Sequence, residues 1–229
     1  MTEWELPPGT LIVVPTPLGN LADLTDRARE ALTKAALIAA EDTRRTGQLL
    51  CTLGARRPMI SLHDHNEMAR IPEILEKLRA GETVALASDA GMPLVSDPGY
   101  RLVEACIAND IPVTVLPGPS AVLTALAGSG LPPHPFYFGG FLPVKSGRRE
   151  TELLAALERR ITHIYFESPH RLVKTLAALA ALAPSARVCV ARELSKKFEE
   201  YRRGTAQEVL THFNGRPPKG EITLLLRAE

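Results

Sequence analysis

The sequence predicts an α/β protein: two α/β domains with largely parallel or mixed sheets. Three observations carry this expectation. Short apolar runs of strand length alternate with amphipathic segments of helical spacing along nearly the whole chain. At 229 residues and 45% hydrophobic content, the chain can bury one large core or two small ones. The sharpest punctuation, P-G-P-S at Pro117–Ser120, lies near mid-chain and sets domains at 1–118 and 119–229.

In the first half, Leu11–Val14 reads as a buried strand ending at Pro15. Leu24–Ala36 has helical spacing, with Asp23 and Asp26 suited to the positive end of the helix dipole. Leu37–Ala40 and Met59–Leu62 are further short strands, ending in Glu41-Asp42 and H-D-H-N. Glu67–Arg79 is helical by its repeat of Ile71, Ile74, Leu75 and Leu78. Thr83–Ala87 is a strand, Tyr100–Ala108 a helix and Pro112–Leu116 a fifth strand.

The second half opens with a helix over Ala121–Ala127, followed by two Pro-rich turns with a short strand, Phe136–Phe138, between them. A basic helix begins near Arg148. Thr162–Phe166 is a strand, Arg171–Leu182 a helix, and Arg187–Ala191 a strand, with Phe198–Tyr201 a candidate for another. Thr205-x-x-Glu208 is a capping box that opens a helix to Phe213, and Gly220–Leu226 is a last alternating strand.

Composition narrows the function classes. The formal charge of +1 argues against a protein wrapped in a strong positive field, although a local basic rim remains open. Cys51, Cys106 and Cys189 are far apart and form no C-x-x-C, so neither a zinc site nor a disulfide framework is expected. No run is long and apolar enough for a membrane span, and the N-terminus has no signal-peptide pattern. The expected location is the cytoplasm.

Chemistry concentrates where strands end. The first four strands run into P-T-P-L-G-N, E-D-T-R-R-T, H-D-H-N and S-D-A-G-M-P-L-V-S-D-P-G; the second half adds E-S-P-H-R and R-E-L-S-K-K. In a parallel sheet such ends share one edge, where open α/β sheets place ligands. Asp89 and Asp97 offer acceptors there. The familiar phosphate signatures are missing: there is no G-x-G-x-x-G and no G-x-x-x-x-G-K-[ST], which disfavours NAD and P-loop nucleotide binding. His63-x-His65 lacks a third ligand in view, so no metal is expected. The basic pairs, Arg44-Arg45 among them, read either as solvated surface or as a rim that grips phosphates.

Taken together, P-T-P-L-G-N-L-A-D-L-T, E-D-T-R-R-T, L-H-D-H-N, S-D-A-G-M-P-L-V-S-D-P-G, L-P-G-P-S-A, G-F-L-P, E-S-P-H-R, A-R-E-L-S-K and K-G-E cover the chain from Leu11 to Leu226. In that order they resemble the tetrapyrrole-methylase-like family of S-adenosylmethionine-dependent enzymes. E-D-T-R-R-T, H-D-H-N and E-S-P-H-R look like its RNA-modifying version.

The resemblance implies a cofactor, S-adenosyl-L-methionine, in an interdomain cleft. It implies methyl transfer to a ribose 2′-hydroxyl of small-subunit ribosomal RNA by a cytoplasmic homodimer. Relatives in this fold act on corrin precursors, so a tetrapyrrole C-methyltransferase is the alternative. A non-catalytic RNA-binding ribosome-assembly factor is a third reading.

Carried over by position, the resemblance implies cofactor contacts at Leu18, Asp89, Ala90, Met92, Ser120, Ala121, Phe166, Arg192 and Gly220. Met92 stands where many relatives have Thr, which removes a side-chain hydroxyl but not a backbone contact. The chain also stops soon after Leu226, whereas some relatives continue, so any docking role of such an extension is expected to be missing. Methyl transfer is an in-line displacement in which positioning alone can supply on the order of 7 kcal/mol. A ribose hydroxyl is a poor nucleophile, so a base is sought among Glu167, His170, Glu41, Asp42 and His63, with Glu167 beside His170 as the expected catalytic pair. Arg44, Arg45, Arg171 and Lys196 are the expected phosphate holders, with Glu41, Asp42 and His63 also on the substrate side.

Overall fold

The computed structural model describes residues 4–216 and 218–228. The chain divides into two compact units, Met1–Ser120 and Ala121–Glu229.

The first unit contains β1 (Leu11–Val14), α1 (Asp26–Lys34), β2 (Leu37–Ala40), α2 (Thr43–Thr52), β3 (Met59–Ser61), α3 (Glu67–Arg79), β4 (Val84–Ala87), α4 (Tyr100–Ala108) and β5 (Val113–Val115). A 3₁₀ turn at Leu21–Asp23 precedes α1. The strands form one parallel sheet in the order β3-β2-β4-β1-β5. Its central strands are apolar throughout because both faces are covered. Leu11, Val13, Leu37, Ala39, Val84 and Leu86 pack against Ile74 and Leu78 of α3 and Leu102 of α4. Their neighbours Ile12, Val14, Ile38, Ala40, Ala85 and Ala87 pack against Ala31 and Leu32 of α1 and Leu50 of α2. Alternate residues thus feed opposite cores.

One helix starts later than the sequence pattern predicts, and another is not predicted by it. Thr25 stays extended and its hydroxyl accepts from Ala28 N at 3.2 Å, so α1 begins at Asp26 and not at Leu24. E-D-T-R-R-T does not remain a loop: Asp42 caps it, accepting from Arg44 N at 2.9 Å, and α2 begins at once.

The second unit contains α5 (Ala121–Ser129), β6 (Phe136–Phe141), α6 (Ser146–Glu158), β7 (Thr162–Glu167), α7 (Leu172–Leu182), β8 (Arg187–Arg192), β9 (Glu200–Thr205), α8 (Ala206–Asn214) and β10 (Ile222–Arg227). Its sheet, in the order β6-β7-β10-β8-β9, is mixed: β6 and β7 are parallel and every other pairing is antiparallel. The short β8–β9 link suits an antiparallel return. β10 inserts between β7 and β8, running against both. The core on one face joins Tyr165, Val188, Val190, Leu224 and Leu226 to Leu153 of α6, Leu176 of α7 and Val209 of α8. The capping box opens α8 as the sequence predicts: Thr205 Oγ1 accepts from Glu208 N at 3.2 Å, and Glu208 Oε2 accepts from Thr205 N at 2.8 Å.

Strand direction decides where the chemistry lies. In the first unit every strand points the same way, so the residues after β1, β2, β3 and β4 share one sheet edge. In the second unit β6, β7 and β8 also point one way, because both β7 and β8 oppose β10. Ile222 lies opposite both Glu167 and Arg192, so the turn after β7, the turn after β8 and the lead into β10 meet at one edge.

Candidate active site

The first unit builds its edge around the long loop after β4. Gly91 adopts φ +84°, a conformation a side chain disfavours, and exchanges two 2.9 Å backbone hydrogen bonds with Thr16 in the loop after β1. Thr16 Oγ1 also donates to Ser88 O at 3.1 Å, so three links hold the β1 and β4 loops together. Leu18 is buried beside this bridge, while Ala90 and Met92 are half-buried on it.

Asp89 sits at the turn. Its backbone N–H donates to Glu41 Oε2 at 3.1 Å, and its Oδ2 pairs with Arg45 NH1 at 3.2 Å. Its other oxygen, Oδ1, is buried and accepts no hydrogen bond. A buried acceptor without a donor is costly and marks a place for a donor from outside the fold. Thr16, Pro17, Gly19, Arg45, Ser88 and Asp89 line an open pocket of about 240 Å³ here.

The carboxylates at this edge are tuned unequally. Burial, opposed in part by the hydrogen bond from Asp89 N, raises Glu41 above the ordinary glutamate range. Burial likewise raises Asp89, with Arg45 pulling the other way. Asp97, at the far end of the same loop, is pushed up to about 7, first by burial and then by the Glu41 charge. Asp42 moves the opposite way. Hydrogen bonds from Arg44 hold it far below the ordinary range, and its two oxygens serve as the α2 cap and the Arg44 clamp. The sequence placed Asp97 among the acceptors but assigned it no role; its depth in the fold is what distinguishes it.

Arg44 and Arg45 remain largely exposed beyond these pairings. His63 is half-buried after β3; its backbone N–H donates to Asn66 Oδ1 at 2.8 Å, and its Nδ1 is buried without a partner. Its ring meets His65 edge-on at 6.0 Å. Among the described residues no cluster of three or more His, Cys, Asp or Glu is arranged to hold a metal ion. Ser120 closes the first unit, and Ala121 is the first residue of α5.

In the second unit the side chains expected to act are engaged with neighbours of the fold. Glu167, expected as a base, is held by donors of the fold. Its side chain is fully buried and accepts from Ser168 N at 2.7 Å and from Thr175 Oγ1 at 2.6 Å, and it pairs with Arg171 at 2.7 Å. Both oxygens are engaged and neither faces solvent. Arg171, expected to hold phosphate, is the partner in that pair and donates to Leu142 O at 3.1 Å. Lys196 lies between Glu193 at 3.1 Å and Glu221 at 3.0 Å, so two carboxylates already surround its charge. The Arg192 guanidinium is likewise engaged: it pairs with Glu200 at 2.9 Å and donates to Lys219 O at 3.1 Å.

His170 is exposed in the turn after β7; its backbone N–H donates to Ser168 Oγ at 3.3 Å. Phe166 is half-buried between the rings of Phe138 and Phe141. Gly220 precedes β10 at φ +87°. Glu167, His170, Phe166, Arg192 and Gly220 therefore share an edge, as the motif order implied, although their pairings differ from the roles expected.

The chain matches a family model described as Tetrapyrrole (Corrin/Porphyrin) Methylases over residues 10–210. It is 45% identical over 218 residues to a protein of Thermotoga maritima named ribosomal RNA small subunit methyltransferase I, covering 95% of this chain and 98% of that one. It is 49% identical to a protein of the same name from Mesorhizobium japonicum, over 93% of this chain and 74% of the other. In fold it is similar to uroporphyrin-III C-methyltransferase of Thermus thermophilus, solved with S-adenosyl homocysteine. That likeness has a TM-score of 0.64 at 19% identity, over 95% of this chain and 96% of the other.

Proposed function

The chain belongs to the tetrapyrrole (corrin/porphyrin) methylase family, and from that premise we propose that it transfers a methyl group from S-adenosylmethionine to a ribose 2′-hydroxyl of small-subunit ribosomal RNA. One observation carries the choice within the family. Close to half of the residues match, over almost all of both chains, a relative whose name specifies that RNA. The reading brings with it a cytoplasmic homodimer.

The residues of the first unit fit the cofactor. It carries amine and hydroxyl donors beside apolar surface; the edge offers the unfilled Asp89 Oδ1 next to buried Leu18. Leu18, Asp89, Ala90 and Met92 would hold it from the first unit, with Ser120 at that unit's end. Ala121, Phe166, Arg192 and Gly220 are the residues of the second unit that the family resemblance adds. Bound there, S-adenosylmethionine supplies an electrophilic methyl on a sulfonium.

The protein's own part is to orient the hydroxyl and take its proton. The pair expected to take that proton is Glu167 with His170; the oxygens of Glu167 are occupied by donors of the fold, and Asp97, whose carboxyl is pushed up to about 7, is the alternative acceptor. Arg44, whose exposed pairing with Asp42 is weak and exchangeable, and Arg45 hold phosphates. His170 presents a second exposed donor to the RNA from the edge of the other unit.

Two measurements test the reading. Calorimetry should show cofactor binding by the native protein and its loss in Asp89→Ala; unchanged affinity removes Asp89 from the site. Purified protein should transfer labelled methyl to small ribosomal subunits, with the label at a ribose oxygen. Binding of the subunit without turnover would instead make the protein an assembly factor.

A further inference from the structure

The outer strand of the second sheet ends in an exposed aromatic ring. Phe141 is 60% exposed at the end of β6, on the edge it shares with the turn carrying His170. Its ring is backed on one side by Phe166, 5.4 Å away, and Phe166 is backed in turn by Phe138 at 5.0 Å. One side of the ring is therefore held while the rest faces solvent.

The backbone is shaped to put it there. The β6–β7 register pairs Phe138 with Ile164 but Phe141 with Phe166, so β6 carries one extra residue, a bulge. Bulges re-aim side chains and are frequent beside active sites. The bulge is made by Gly139-Gly140. A Cβ on Gly139 would lie 2.4 Å from the Tyr165 ring, and Gly140 has φ +66°.

The chain just past Phe141 is pinned. Leu142 is buried, Arg171 donates to its carbonyl at 3.1 Å, and the buried Arg149 donates to Val144 O at 3.2 Å. Beyond this anchored turn stand Lys145 and Arg148, both exposed and neither paired with a carboxylate among the described residues. The stretch from Phe141 to Arg149 has three cations and no acid.

Resting on the RNA reading above, we propose that Phe141 is a stacking platform for an unpaired base of the substrate RNA, with Lys145 and Arg148 holding the adjoining phosphates. Sequence-specific RNA recognition targets unpaired bases, which stack on aromatic rings while cations track the backbone. The same cations disfavour a second copy as the occupant, since a self-complementary contact would set like charges against each other.

The test compares Phe141→Ala and Phe141→Trp. Methyl transfer to small ribosomal subunits should lose roughly 5- to 150-fold in kcat/KM in the alanine variant, the range for one base–aromatic stack. The tryptophan variant should stay within about threefold of native. Cofactor affinity by calorimetry and the oligomeric state by light scattering should not change in either. In parallel, a single-stranded RNA oligomer carrying 2-aminopurine should be quenched by the native protein and by Phe141→Trp but not by Phe141→Ala.

Native-like turnover and quenching by Phe141→Ala would overturn the proposal. So would a loss of cofactor affinity, which makes Phe141 part of that site, or a change in oligomeric state, which makes it an interface between copies. If the native protein methylates no ribosomal RNA, the function above fails by itself, and Phe141-dependent quenching still decides the platform.

Discussion

Replacing Glu167 by glutamine separates two roles that this carboxylate could fill. As an anchor it collects three contacts: Ser168 N at 2.7 Å, Thr175 Oγ1 at 2.6 Å and Arg171 at 2.7 Å. The glutamine amide keeps one oxygen for Ser168 N and Arg171 and turns its N–H₂ group toward the Thr175 hydroxyl, which must switch from donating to accepting, while Arg171 loses its countercharge. Removing one partner of a buried ion pair costs about 3–5 kcal/mol. Arg171 retains some exposure and can rehydrate, so the expected cost is at the lower end, about 3 kcal/mol. For a unit near 100 residues, that corresponds to a fall in Tm of about 12 °C or more.

Scanning calorimetry reads the stability. Methyl transfer, measured well below the lowered Tm, reads the chemistry. The anchor role predicts a destabilised variant whose kcat stays within about threefold of native. A general base predicts the reverse, with native stability and a rate lower by about 10²- to 10⁴-fold. A stable, inactive Glu167→Gln protein would refute the reasoning. Thr175→Val supplies a second check. It deletes the hydroxyl donor, so its cost and that of Glu167→Gln should be less than additive, as for groups in one network.

Asp97, with a folded pKa of about 7 against an ordinary 3.8, holds its proton more tightly in the folded state than in the unfolded chain. Stability therefore declines as pH rises from about 4 through 7. Asp97→Asn should raise Tm relative to native at pH 8 and much less at pH 5, and it should abolish a rise in native kcat/KM centred near pH 7; equal Tm differences at the two pH values would remove the tuned carboxyl. Arg44→Ala should lower the salt slope of log K for RNA by about 0.7, one phosphate on a single strand. Lys196→Ala should leave that slope unchanged, because Glu193 and Glu221 already neutralise the lysine; a matching drop in both variants would restore Lys196 as a phosphate holder.

Most strands and helices were legible because their periodicity is simple. β1, β2 and β4 are apolar at every position, as strands covered on both faces must be. Glu67–Arg79 and Tyr100–Ala108 carry one apolar stripe each. α2 was not legible as a helix, because T-R-R-T-G-Q is polar at its start and chemically suggestive. The cue was Asp42 as an N-cap, and Asp before Thr-Arg-Arg serves a loop equally well. A mixed sheet was within the expectation, but the strand order of the second sheet was hidden for another reason. A helix between strands favours a parallel crossover, yet β10 enters between two earlier strands, and such an insertion depends on contacts far apart in sequence.

The site separates along the same line. Which loops gather at an edge is set by strand direction, and strand ends can be found by reading runs. Which charges remain available is not, because the availability of a cation depends on its partner. Arg44, Arg171 and Lys196 look alike as letters. Arg44 shares one exposed carboxylate, Arg171 is locked to a fully buried one, and Lys196 sits between two. Exposure separates them further, since an exposed pair exchanges readily with a phosphate while a buried one must first leave a charge unpaired. The same reasoning separates two carboxylates: the oxygens of Glu167 are filled by donors of the fold, and those of Asp97 are not. Burial outweighs the contacts that favour the charged form of Asp97, and its carboxyl is pushed up to about 7.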